Sequence, residues 1–341
     1  MASHLPEVRL EALEMWVSNV PHTVSILEPF GFASESAAPA ESLRDHLAIT
    51  MHAGDVTIVL RQGTSPESPV AQHVARHGDG VGDVILACDD VDGLCARAQA
   101  IGVDVSIKGT SVQLDILGDG TLMHTVRPIS QPRRTAEHAR QRTGVEMVDH
   151  VTYCLPFGTL DLVARAYETV FGFHRLDSPQ TANVGDDDHG MFSQVVRTGD
   201  CTLVLTAPKS AGGASQTQRF LDAHAGPGVQ HVALACGDLS AAAHWLRSNG
   251  VALLPVPEEH LEQSYQRMRS RALPWDSIRR EGILVDGDDG GVLFQLFTEP
   301  ITERRTFFFE LIHRDGATGF GAGNVRALFA AVDASMQSKE R

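Results

Sequence analysis

Gly228-Val-Gln-His-Val-Ala-Leu-Ala-Cys-Gly-Asp-Leu239 echoes an earlier stretch of the same chain, Gly80-Val-Gly-Asp-Val-Ile-Leu-Ala-Cys-Asp-Asp-Val91. Each copy reads as an apolar strand that runs into a helix, and each helix is followed by a Gly-Val strand start, at Gly102-Val and Gly250-Val. Similarity at a fixed offset is the mark of internal duplication.

Working outward, the first copy sits in a half of its own. A strand at 13–17 leads to a helix over 21–32 that stops at Gly31. Strands near 46–51 and 56–61 flank the turn Ala53-Gly-Asp55 and suit a hairpin. The strand 81–88, a helix over 91–101 and strands near 112–117 and 121–126 follow. The second half repeats this. Met147-Val-Asp-His-Val-Thr-Tyr153 precedes a helix over 160–170, whose stop Phe171-Gly-Phe173 echoes Phe30-Gly-Phe32, and strands follow at 195–197 and 201–205. A strand, a helix and three strands, repeated, is not the alternation of a parallel α/β sheet. The expected class is α+β, with duplicated βαβββ modules forming two curled, open sheet barrels. Residues 1–126 and 147–341 are the expected domains, joined by the basic, proline-bearing linker 127–146.

Composition narrows the function. The chain has 341 residues, 43% hydrophobic and 21% charged, with a formal charge of −15, which argues against nucleic acid or an anionic membrane as partner. The cysteines (Cys88, Cys95, Cys154, Cys201, Cys236) are scattered through apolar runs and read as reduced core residues. The N-terminus lacks a basic segment followed by an apolar one, and no run approaches a membrane span, so a cytoplasmic protein is expected.

The difference between the copies locates a site. Where the first has Ala12 and Asp83, the second has His150 and His231. A third group lies on the last strand, Thr306-Phe-Phe-Phe-Glu-Leu-Ile-His-Arg-Asp315, where alternation puts Phe308, Glu310 and Ile312 on one face. A carboxylate among such neighbours needs a partner. On this strand alone, an arginine (Arg304, Arg305 or Arg314) and a metal are equally open. Strands distant in sequence converge inside a curled sheet, and the two histidines tip the balance. Two His and one carboxylate with open positions form the facial triad of non-haem Fe(II) oxygenases. Asp186-Asp-Asp-His189 reads as a solvated acidic loop, and His22, His46, His52 and His73 as surface or core residues.

Six segments carry a resemblance: Val148-Asp-His150, Gly226-Pro-Gly-Val-Gln-His231, Ile283-Leu-Val-Asp286, Leu293-Phe-Gln-Leu-Phe-Thr298, Phe307-Phe-Phe-Glu310 and Gly319-Phe-Gly-Ala-Gly-Asn324. Together they make the second half resemble the 4-hydroxyphenylpyruvate dioxygenase family of the vicinal-oxygen-chelate superfamily, and the first half matches it in architecture. The resemblance implies one Fe(II) per chain, held by His150, His231 and Glu310, and a 2-oxo acid substrate that meets O₂ there. It also implies substrate contacts at Ser193, Thr206, Gln216, Gln230, Gln295, Phe297, Phe308, Asn324, Val325 and Phe329, and a homodimer or homotetramer.

Two branches of that family share a substrate. One hydroxylates its ring to give homogentisate, the other its benzylic carbon to give 4-hydroxymandelate. This chain departs from the first at several places: Val325 stands where that branch has an aromatic residue, Thr206-Ala-Pro replaces Asn-Glu-Pro, and His224 precedes Gly-Pro-Gly. The segment Met191-Phe-Ser-Gln-Val-Val196 also lacks the tyrosine–serine–alanine–leucine element. Valine at 325 removes a ring from the pocket wall, so the substrate ring can rotate away and bring the benzylic carbon nearer. The expectation is therefore a hydroxymandelate synthase, with the homogentisate-forming dioxygenase or a dioxygenase of another 2-oxo acid as the alternative; a complete triad speaks against a non-catalytic binding module. The segment 325–336 has apolar residues at helical spacing (Val325, Leu328, Phe329, Val332, Met336) and is expected to lie over the site as a lid helix.

Overall fold

Alternating apolar strands turn the two copies into two sheets with the same strand order. The computed structural model describes residues 6–34, 41–42, 45–129, 143–176, 190–321 and 323–324. The first sheet contains β1 (Val8–Trp16), β2 (Ala33–Ser34), β3 (Glu41–Ser42), β4 (His46–Ala53), β5 (Val56–Gly63), β6 (Gly80–Cys88), β7 (Asp104–Lys108), β8 (Ser111–Asp115) and β9 (Met123–Pro128). Its order is β2-β4-β5-β1-β6-β9-β8-β7, with β3 on β4. The second contains β10 (Val145–Cys154), β11 (His174–Leu176), β12 (Met191–Thr198), β13 (Cys201–Pro208), β14 (Gly228–Cys236), β15 (Leu284–Gly287), β16 (Val292–Phe297) and β17 (Phe308–Asp315). It is ordered β11-β12-β13-β10-β14-β17-β16-β15. Each sheet is two βαβββ modules meeting at an antiparallel centre, β1 on β6 and β10 on β14.

Register makes the duplication exact enough to transfer positions. Leu13 faces Val84 as Val151 faces Val232, so Ala12 corresponds to His150 and Asp83 to His231. Leu86 faces Val126 as Leu234 faces Leu311, so Thr125 corresponds to Glu310. Both central strands carry the same irregularities, between Leu10 and Ala12 and between Val148 and His150. Such a bulge re-aims side chains.

Helices pack outside the sheets: α1 (Val20–Leu27), α2 (Pro69–His77), α3 (Val91–Ala100), α4 (Leu160–Phe171), α5 (Gln216–His224), α6 (Leu239–Ser248), α7 (Glu258–Met268) and α8 (Trp275–Glu281). The duplicated motif explains two of them. The Asp90 carboxylate accepts from the Gly93 N–H, and that of Asp238 from the Ala241 N–H, each at 2.9 Å, capping α3 and α6 at equivalent places. The first helix ends as expected at Gly31 (φ 90°), after a 3₁₀ turn over Glu28–Phe30. Four helices go beyond the expected pattern: α2, α5, α7 and α8. α7 buries only Leu261, Ser264 and Met268, a stripe too narrow to read in a polar sequence. It lies with α8 between α6 and β15, where the first half passes directly from α3 to β7.

The two sheets share one apolar core. Phe30 of the first half meets Phe309 of β17 at 5.0 Å between ring centroids. The Trp245 indole N–H donates to the Pro29 carbonyl at 2.9 Å, and His124 Nε2 lies 2.7 Å from the Tyr167 hydroxyl. The ends of the expected linker belong to strands, Arg127 and Pro128 to β9 and Val145 and Glu146 to β10, while its residues 130–142 lie outside the described residues. The expected lid helix over 325–336 and the loop 186–189 also lie outside them. All five cysteines are free thiols, and among the described residues no helix is long and apolar enough to cross a membrane.

Candidate metal centre

His150, His231 and Glu310 converge on the concave face of the second sheet. Pairing carries that face across the strands: His150 faces Ala233, Ala233 faces Glu310, and His231 lies between Thr152 and Phe308. The ligand atoms of the three residues all lie within 4.8 Å of one another. Nε2 of each histidine stands 3.5 Å from Glu310 Oε2, with all three side chains buried. Those separations are long for hydrogen bonds. They suit neighbouring ligands of a small divalent ion with bonds of roughly 2.1 Å.

The surrounding groups orient these atoms. His150 Nδ1 lies 2.8 Å from Asp149 Oδ1 and His231 Nδ1 lies 3.1 Å from Gln230 Oε1, so each ring turns Nε2 towards Glu310. The Gln295 amide donates to Glu310 Oε1 at 2.8 Å, and its own oxygen accepts from Asn324 Nδ2 at 2.7 Å. Burial opposes charge on both rings. At His150 the hydrogen bonds and charges of Asp149 and Glu310 overcome it and push the pKa up to about 9. At His231 burial prevails, reinforced by charge on His150, and its pKa falls well below the ordinary value. Without a cation the extra proton that makes an imidazole cationic therefore sits on His150 and not on His231. A divalent ion fits where that proton sits, and the donor set of two imidazoles and a carboxylate matches Fe(II).

The arginines expected as rivals for Glu310 are engaged elsewhere. Arg314 pairs with Asp149 at 2.7 Å, Arg305 lies 3.7 Å from Glu299, and Arg304 donates to the Arg76 and Ala75 carbonyls. In the first sheet the equivalent positions bond to one another. Asp83 accepts from Thr125 N at 2.8 Å and from its hydroxyl at 2.5 Å, and no imidazole stands at Ala12.

The expected substrate contacts divide. Phe297 and Phe308 meet edge to face at 6.3 Å and cluster with Leu254 and Leu284 as one apolar wall. Ser193 faces Thr206 on the opposite wall, but the Thr206 hydroxyl donates to the Tyr153 carbonyl at 2.8 Å, so it ties two strands together. Gln230 and Gln295 bind the histidine and the carboxylate of the triad. Gln216 is half-buried in the first turn of α5. Asn324 Oδ1 is buried with no hydrogen-bond partner among the described residues. Val325 and Phe329 lie outside them. His224 packs away from the triad, against His77, Phe220 and Gly228; a Cβ on Gly228 would come within 2.5 Å of its ring.

Two neighbours escaped the sequence reading. Phe320 sets its ring edge-on to His150 at 5.4 Å and packs with Val195 and Val204. Thr152 shares the face of His150, and the period of two along β10 was the signal that could have found it.

Fold and site together define a vicinal-oxygen-chelate protein with a buried His–His–carboxylate centre. Residues 149–265 match the model of the Glyoxalase/Bleomycin resistance protein/Dioxygenase superfamily. The 4-hydroxyphenylpyruvate dioxygenase of Coccidioides posadasii is 30% identical over 291 residues, 76% of this chain and 72% of the relative. That of Caenorhabditis briggsae is 29% identical over 309 residues, 82% and 78% of the two chains. A triple mutant of 4-hydroxymandelate synthase from Streptomyces coelicolor superposes with a TM-score of 0.84 at 29% identity, covering 97% of this chain and all of that one. The chain belongs to the 4-hydroxyphenylpyruvate dioxygenase family, and it is an enzyme of the dioxygenase class.

Proposed function

We propose that the protein is an Fe(II)-dependent dioxygenase that converts 4-hydroxyphenylpyruvate and O₂ to 4-hydroxymandelate and CO₂. The observation that carries the reading is the buried His150–His231–Glu310 group beside the apolar cluster of Phe297 and Phe308. Bound there, ferrous iron would supply electrons and open positions for a 2-oxo acid and for O₂. His150, His231 and Glu310 would hold it, with Asp149, Gln230 and Gln295 fixing their orientation.

The remaining residues bind and exclude water. Phe297 and Phe308 offer a flat apolar wall to an aryl ring, and Phe320 with Val195 and Val204 offers another. Asn324 Oδ1, buried and unpartnered among the described residues, suits a donor such as a phenolic hydroxyl. Valine in place of an aromatic residue at 325 favours attack at the benzylic carbon, and the hydroxymandelate synthase neighbour supports that outcome. Ring hydroxylation to homogentisate is the second reading, favoured by the sequence relatives.

The test is product identity. Fe(II)-loaded protein is incubated with 4-hydroxyphenylpyruvate and O₂, and the products are separated and assigned by NMR, since the two are isomers. 4-Hydroxymandelate supports the proposal, homogentisate replaces it with the second reading, and iron-bound protein without turnover refutes the substrate.

A further inference from the structure

Among the described residues near the triad, Asn324 Oδ1 and, on the sheet face itself, the Thr152 hydroxyl are buried and unpartnered. Thr152 is 2% exposed, and its hydroxyl has no hydrogen-bond partner among the described residues. Its place is fixed on both sides by register. It faces Val204 on β13 and His231 on β14, two residues along β10 from His150. Apart from His231, its row across the sheet is apolar: Val195, Val204 and Phe308. Neither a backbone carbonyl nor a neighbouring side chain takes the proton.

The other copy shows how this position is handled where Asp83 stands in place of the histidine. Register places Glu14 at the equivalent of Thr152, opposite Asp83 as Thr152 is opposite His231. Glu14 is also buried, yet it is fully engaged, with Arg61 Nε at 2.7 Å and the Trp16 indole N–H at 2.7 Å. The first sheet satisfies its polar group from within. The second leaves one open beside its histidines, although an unmet buried hydroxyl is destabilising.

We propose that Thr152 is a substrate-binding residue whose hydroxyl donates a hydrogen bond to an oxygen of the 2-oxo acid group. This rests on the function proposed above. Because Thr152 pairs directly with His231, one of the residues that would hold the metal, its partner is the acid end of the substrate. The hydroxyl thereby selects for an oxygen-bearing chelating group and fixes its orientation, while the phenylalanine wall receives the ring.

The test compares wild type with Thr152→Val, which keeps shape and removes the hydroxyl, and Thr152→Ser, which keeps the hydroxyl. Anaerobic Fe(II)-loaded protein is titrated with phenylpyruvate and 4-hydroxyphenylpyruvate, following the visible absorption of the chelated 2-oxo acid. Melting of the metal-free proteins is measured alongside. Thr152→Val should bind both acids about tenfold more weakly, while Thr152→Ser stays within about threefold of wild type. Metal-free Thr152→Val should melt at or above the wild-type temperature, by roughly 2 °C, because it loses an unmet group. That pairing of weaker binding with undiminished stability is not what a structural hydroxyl would give. Unchanged binding by Thr152→Val overturns the proposal, as does a melting temperature several degrees lower, which would reveal an internal partner. Weakening for 4-hydroxyphenylpyruvate alone overturns the assignment to the acid end. Wild type that binds neither acid refutes the proposed function itself, and Thr152's role with it.

Discussion

Arg314 grips Asp149 through two hydrogen bonds, Nε to Oδ2 at 2.7 Å and Nη2 to Oδ1 at 2.9 Å, and Asp149 in turn meets Nδ1 of His150. The bulge in β10 turns the Asp149 side chain towards its neighbour. Arg314 also donates to the Ala317 and Gly319 carbonyls and stacks over Phe320, 5.0 Å from the ring centroid. One guanidinium thus fixes a histidine of the triad and the segment that covers it. Asp149→Ala is expected to weaken divalent-metal binding by about 10–100-fold, the usual effect of removing a group that orients a ligand. Competition against a chelator measures it, and unchanged affinity would mean that His150 is held by packing alone.

Gln295 performs the matching task for Glu310. Its amide nitrogen serves the carboxylate and its oxygen receives Asn324, linking β17 to the segment after Phe320. Leucine at 295 leaves Glu310 Oε1 and Asn324 Nδ2 buried without their hydrogen bonds, each costing about 1–3 kcal/mol. Chemical denaturation of Gln295→Leu should show a loss of roughly 2–5 kcal/mol. A loss below 1 kcal/mol would show that Asn324 and Glu310 find other partners.

His231→Ala removes one of the two nitrogens while leaving its neighbours in place. Stacked on Phe308 at 4.8 Å, the ring also contributes packing, so a modest loss of stability accompanies the change. The variant is expected to retain no stoichiometric iron after gel filtration and to consume no O₂ with 4-hydroxyphenylpyruvate. Iron content equal to wild type would remove His231 from the centre.

What the sequence disclosed follows from where its periodicity was strong. The paired motifs ending in Val91 and Leu239 announced a strand and a helix in each half, and the structure shows the same elements at equivalent places, with Asp90 and Asp238 capping the helices. Comparing copies brought out His150 and His231 because a change of residue at a conserved place in the architecture is visible without any structure. Glu310 stood out as a charge among phenylalanines. Its actual hydrogen-bond partner, Gln295, is one strand away and could not be told from a substrate contact by sequence alone. Thr206 shows the same limit: only the fold reveals that its hydroxyl donates to the Tyr153 carbonyl. The polar helices α5 and α7 were missed because their buried faces include Thr217, His224 and Ser264, which no apolar period reveals.

A cluster of imidazoles where the two halves meet predicts how the protein fails in acid. His73 and His77 of α2 lie 4.6 Å apart by ring centroid, and His77 lies 4.9 Å from His224 of α5. His77 Nδ1 meets the His224 carbonyl at 2.8 Å, so protein contacts fix the rings against one another. Burial, together with the charge that each would impose on the next, lowers His73 to about 3 and His224 to about 4. Burial lowers His77 as well; Arg76 and Arg304 press it the same way, while Asp119 and the His224 carbonyl oppose them. In the unfolded chain these rings titrate near about 6.5. Between that value and about 4 the unfolded state therefore binds protons that the folded state refuses, so stability falls as the pH drops through this window. His73 and His224 each contribute a slope of up to roughly 1.4 kcal/mol per pH unit. Urea midpoints measured at pH 7 and pH 5 should therefore differ in wild type, and His73→Leu, which keeps the apolar contact with Trp16, should shrink the difference. An equal difference in the variant would place the acid sensitivity in groups other than His73, such as His231 and His124, buried imidazoles whose pKa burial also lowers.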